Sequence, residues 1–104
     1  MSSEAEGISA DKRRHRRHAV LYSGTLHQDD MSTDCIVKDI SASGAQIVTE
    51  RPVSRDRDFI LDIDRAGLFT SRLVWREDNR LGMMFLHNPD SVAQRIGAAW
   101  GLPT

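Results

Sequence analysis

Lys12, Arg13, Arg14, Arg16 and Arg17 stand within six residues, interrupted only by His15. No acid falls between residues 12 and 18, so this segment carries +5, and with −1 on the whole chain the remainder carries −6. So local a field suits one anionic ligand near the segment better than a broad polyanionic surface. Arginine outnumbers lysine here. A guanidinium forks onto phosphate oxygens, reads the O6/N7 edge of guanine and stacks on flat bases. A run kept only as a solvated basic tail has no need of that preference.

A second short stretch has chemistry to offer. "DISASG" places Asp39, Ser41, Ser43 and Gly44 where a strand ends. Asp and Ser cap turns by bonding nearby amides, and Gly permits a positive φ or close backbone approach, so a well-made β-turn explains the stretch by itself. The functional alternative is that Asp39 offers two acceptor oxygens to the N1–H and N2–H₂ of a guanine.

Catalysis finds little support. Cys35 lies in an apolar strand-like run, where a small buried thiol is the expected role. His15, His18, His27 and His87 are scattered, with no CxxC partner or closely spaced acids, so no metal or other cofactor is expected. No GxSxG, HExxH or Walker pattern occurs. Asp58, Asp62 and Asp64, with Arg57 and Arg65 nearby, read as a solvated strand face with local ion pairs.

The elements that must position these residues follow from periodicity. "AVLYSGTLH" puts Val20, Tyr22 and Leu26 on one face; "DCIVKDI" puts Cys35 and Val37 on one face with Ile36 and Ile40 on the other. "AQIVTE", "DFILDID", "FTSRLVWRE" and "LGMMFLH" are further strands, separated by "QDDMST", "SASG", "RPVSRDR", "RAGL" and the tight polar turn "EDNR". About six strands at hairpin spacing predict a small all-β barrel or sandwich over residues 19–87. Trp75 and Trp100 could each offer a stacking platform, but within a strand and on a helix face core packing is the expected role, and of Met83 and Met84 one faces the core and the other the surface. "NPDSVAQRIGAAWGL" predicts a helix over 89–100, with Asn88 as N-cap, Pro89 at N1, and Val92, Ile96 and Ala99 or Trp100 on the apolar face. Residues 1–11 read as a disordered leader and 12–18 as a basic arm.

Taken in order, an RxxxR pair (Arg13, Arg17) before the first strand and a [D/N]xSxxG motif (Asp39, Ser41, Gly44) between the second and third resemble the PilZ domain family. "RLVWREDNRLGMMFL" is similar to that family's late hairpin, a Trp-bearing strand followed by Gly-X-X-Phe. The resemblance spans roughly residues 12–100, within a domain taken as 12–104. It implies a six-stranded antiparallel barrel with a C-terminal helix that binds the bacterial second messenger cyclic di-GMP. Carried over, Arg13 and Arg17 would grip phosphate and guanine, with Arg14 joining them. Asp39 and Ser41 would bond a guanine edge, and Gly44 would let the backbone approach. The implied role is a receptor that reports to a protein partner, in motility, exopolysaccharide synthesis or a related output.

Composition bounds the alternatives. A chain of 104 residues, 39% hydrophobic and 28% charged, makes one folded domain. One cysteine excludes an intrachain disulfide, and there is neither an apolar signal core nor a membrane-length run, so a cytoplasmic protein is expected. A nucleic-acid binder would share the arm, but the acidic remainder and the lack of interleaved aromatics oppose it. A ligand-free adaptor would share the barrel and dispense with Arg13 and Arg17.

Overall fold

The computed structural model describes residues 16–51 and 58–102. The leader, Arg13, Arg14 and the loop residues 52–57 lie outside the described residues. Six antiparallel strands run as β1 (His18–Gln28), β2 (Met31–Ile40), β3 (Gly44–Thr49), β4 (Phe59–Ile63), β5 (Gly67–Glu77) and β6 (Arg80–Phe85), followed by helix α1 (Pro89–Trp100). They close into a barrel in the order β1-β2-β3-β6-β5-β4. The polar break after β1 is shorter than the sequence suggests. Only Asp29 and Asp30 turn the chain, and Met31, Ser32 and Thr33 already pair with Gln28, His27 and Leu26. Asp29 adopts φ 55° there and Asp78 the same in the β5–β6 turn, a left-handed conformation that Asp tolerates better than most residues.

Alternation fills the barrel. Phe59, Leu61 and Ile63 point inward from β4, and Leu81, Met83 and Phe85 from β6, while Met84 faces out. Leu26, Val37, Ile47 and Phe69 complete the interior, and Val92 and Ile96 of α1 join the same core. Cys35 is buried among them; desolvation, with a smaller contribution from Asp34, pushes its thiol up to about 12, so it is neutral and inert at pH 7.

Two strands break the alternation, and the breaks decide what faces outward. In β2, Val37 pairs with Ile47 but Asp39 with Gln46, so Lys38 is an extra residue. In β5, Leu73 pairs with Met83 but Trp75 with Gly82, so Val74 is extra. Each β-bulge reverses the inside–outside parity of the residues after it. Ile40 therefore enters the core with Cys35 and Val37 instead of opposing them. Trp75, which by period two would follow Phe69, Ser71 and Leu73 inward, lies on the outer surface, 37% exposed. A third irregularity falls between Ala19 and Tyr22 of β1.

Helix α1 begins as its sequence signals. Asn88 Oδ1 accepts the Asp90 N–H at 2.8 Å, Pro89 opens the first turn, and Gly101 closes the helix at φ 71° with its N–H on the Gly97 carbonyl. Arg95 ties the helix to the barrel: Nη2 donates to the Ala66 and Leu68 carbonyls at 2.8 and 2.6 Å, and the guanidinium lies 3.8 Å from the Phe69 ring centroid. Trp100 stacks on Tyr22 with centroids 4.1 Å apart. Asn88→Ala should lower unfolding stability by about 1 kcal/mol, a melting shift of roughly 4–8 °C for a domain of this size, readable by calorimetry.

Candidate functional site

Arg17 precedes β1, and Asp39 sits one residue past the β2 bulge. Ala19 pairs with Asp39 in the β1–β2 ladder, which brings the arginine alongside the carboxylate. Arg17 Nε donates to Asp39 Oδ1 at 2.8 Å, with the two side chains 49% and 26% exposed. The pair is partly solvated and worth little as a stabiliser. Its consequence is orientation, because the bond uses Nε and not the terminal Nη pair that forks onto a phosphate. Were the β2 bulge absent, Asp39 would point into the core and no such pair would form.

The turn after β2 is held from within. Ser41 N–H donates to the Gly44 carbonyl at 2.8 Å, Ser43 N–H donates to Ser41 Oγ at 3.2 Å, and the two serine hydroxyls lie 3.0 Å apart. Ser41 is buried, so its hydroxyl serves the turn in this structure. Gly44 begins β3 opposite Met84. A Cβ there would collide with the Met83 carbonyl oxygen and stand 3.2 Å from its carbon and 3.3 Å from Met84 Cα. Gly44 is thus required by the close approach of β3 to β6.

Across the outer surface from Arg17 lies a side chain that periodicity assigned to the core. Trp75, turned outward by its bulge, lays its indole over Gly82, where a Cβ would overlap Nε1 and Cε2. Arg17, Ser43, Gly44, Trp75, Gly82 and Met84 line one open groove of about 280 Å³. That falls just below the ~300–1,000 Å³ usual for enclosed small-molecule sites, so a ligand seated here needs another wall. The groove joins Arg17 and Ser43 to an apolar aromatic face and a thioether, and Asp39 adjoins it through its bond to Arg17.

The structure therefore brings together Arg17, Asp39 and Gly44, with Ser41 beneath them. It leaves Arg13 and Arg14 undescribed. Sequence reasoning weighs Trp75 as a stacking platform but favours the core for it, and it misses Gly82. Their spacing in "WREDNRLG" was visible, but only the bulge reveals that both face the groove. Asp58, read as part of a solvated ion-paired face, pairs with Arg72 at 3.0 Å. Among the described residues no three His, Cys, Asp or Glu side chains are grouped to hold a metal, and no helix is long and apolar enough to cross a membrane.

No curated protein matches the sequence. Solved structures do match in fold. The PilZ domain of CeSA from a cellulose-synthesizing bacterium aligns with TM-score 0.62 at 13% identity, over 83% of this chain and 96% of that one. The PilZ domain of YcgR from Escherichia coli, solved with c-di-GMP, aligns with TM-score 0.55 at 18% identity, over 88% and 91%. The six-stranded barrel with its C-terminal helix is common ground, and the family model for the PilZ domain matches residues 11–99, arm and helix included. This chain belongs to the PilZ domain family.

Proposed function

We propose that this protein is a cytoplasmic receptor for cyclic di-GMP, which it binds in the groove between Arg17 and Trp75. The observation that carries the reading is the Arg17–Asp39 pair at 2.8 Å beside a groove faced by an exposed indole. A cyclic dinucleotide presents two phosphates and two guanines. Arg17 supplies a fork for phosphate or the guanine O6/N7 edge, Asp39 an acceptor for guanine N–H groups, and Trp75 a stacking surface. Ser41 and Gly44 keep the turn and the β3–β6 crossing in place beneath the ligand. Arg13 and Arg14 supply the missing wall as the arm closes over the bound molecule. Ordering the arm costs about 1–2 kcal/mol per backbone residue, offset by charge-assisted contacts. The remade surface is then read by a protein partner, in motility, exopolysaccharide synthesis or a related output. The role is regulatory binding, not catalysis.

Calorimetric titration with cyclic di-GMP, with GMP as control, tests the reading. Saturable heat with the cyclic ligand alone is expected, and the stoichiometry counts the molecules per site. A nucleic-acid binder engaging ~5 phosphates would instead show a log–log salt slope near −4.5 with duplex DNA. Absence of heat and of any melting shift with cyclic di-GMP would overturn the receptor reading in favour of an adaptor.

A further inference from the structure

On the outer face of β6, Arg80, Gly82 and Met84 form a row at spacing two. Gly82 pairs with Trp75 and carries its indole, so the ring lies in a gap flanked by the two longer side chains. The Arg80 guanidinium carbon is 5.7 Å from the indole centroid. Arg80 is itself tethered: it pairs with Glu77 across the β5–β6 ladder, and its Nη1 donates to Glu77 Oε1 at 3.3 Å. Arg80 is not among the residues lining the groove, whereas Trp75 is. A cation within about 6 Å of an indole is attracted to it, and an indole held before the ligand arrives loses less freedom on binding.

We infer that Arg80 is a positioning residue for Trp75: braced by Glu77, it holds the indole on Gly82 as a preformed platform for the ligand base. The inference rests on the cyclic di-GMP reading for its effect on affinity but not for its effect on Trp75. Arg80 acts through the ring and not on the ligand.

Two measurements test it. The first is acrylamide quenching of Trp75 in ligand-free protein carrying Trp100→Phe, which removes the other indole and keeps an aromatic ring on Tyr22. If that variant fails to fold, the difference between wild type and Trp75→Ala isolates the same signal. Arg80→Ala should raise the Trp75 quenching constant, and Arg80→Lys should raise it less. The second is a double-mutant cycle read by cyclic di-GMP titration. Arg80→Ala should weaken binding about two- to fivefold in wild type and not at all in Trp75→Ala, matching the usual strength of an exposed cation–aromatic pair. Unchanged quenching would overturn the inference. So would an affinity loss that persists in Trp75→Ala and shrinks with salt, since Arg80 would then attract the ligand by charge alone. Should wild type bind no cyclic di-GMP, the receptor reading fails while the quenching result still decides the role of Arg80.

Discussion

Arg17→Ala is expected to weaken cyclic di-GMP binding by two to three orders of magnitude, about 3–4 kcal/mol, in calorimetric titration. Two effects add. A charge-assisted contact to the ligand is lost, worth about 1.5–3 kcal/mol. Asp39, 26% exposed and bonded only through Oδ1 to Arg17 Nε in the described structure, would then face an anionic ligand without its cation. The pair itself stabilises the fold little, so the melting temperature of the ligand-free variant should stay within a few degrees of wild type. Arg17→Lys separates charge from shape. It keeps the cation and gives up both the planar fork and the Nε bond, so recovery of no more than about a tenth of the lost affinity is expected. Wild-type affinity in Arg17→Ala would remove Arg17 from the site.

The second large effect concerns Gly44 and is a loss of stability. Gly44→Ala places a methyl against the Met83 carbonyl oxygen, a backbone atom that no rotamer change can move aside. Overpacking of a tight interior usually costs about 1–3 kcal/mol, and a backbone collision belongs at the upper end. A fall of about 3 kcal/mol, roughly 12–24 °C in melting temperature, is expected for a domain of this size. Gly97→Ala is the control. Its Cβ would meet only the Leu102 carbonyl oxygen, at 3.8 Å, and a helix-interior alanine is favoured over glycine by about 0.5–1 kcal/mol, so stability should hold or rise. Equal losses in both variants would show that the β3–β6 approach is not what requires Gly44.

Much of this architecture is legible in the amino-acid sequence alone. The hairpin spacing yields six strands, and Asn88-Pro89-Asp90 with Val92 and Ile96 beyond it yields a helix whose start and apolar face the structure reproduces. These features depend on neighbours a few residues away, so local pattern suffices. The arm and the "DISASG" turn stand out as candidate ligand contacts because their residue types are uncommon in combination. The facing of Trp75 and Ile40 escapes sequence reasoning for one shared reason. Period-two reasoning assumes an unbroken ladder, and a bulge depends on how a strand meets its partner across the sheet, as Val74 does opposite β6. Nothing in "RLVWRE" taken alone marks Val74 as the surplus residue. The burial of Ser41 is hidden likewise, because its hydrogen bonds to Ser43 and Gly44 depend on how tightly the turn closes.

The bulges at Lys38 and Val74 give this surface an unusual genetic vulnerability. Asp39 faces outward to meet Arg17 at the groove's edge, and Trp75 faces into the groove, because one residue upstream of each is surplus to the ladder. Removing a single codon from either strand would swing the acid or the indole into the barrel while every proposed ligand-binding residue stayed in the gene. A lineage could thus lose the groove, or regain it, by one in-frame deletion or insertion. An alignment scored on motif identity would register no change, whereas the spacing from Val37 to Asp39 and from Leu73 to Trp75 would record the event.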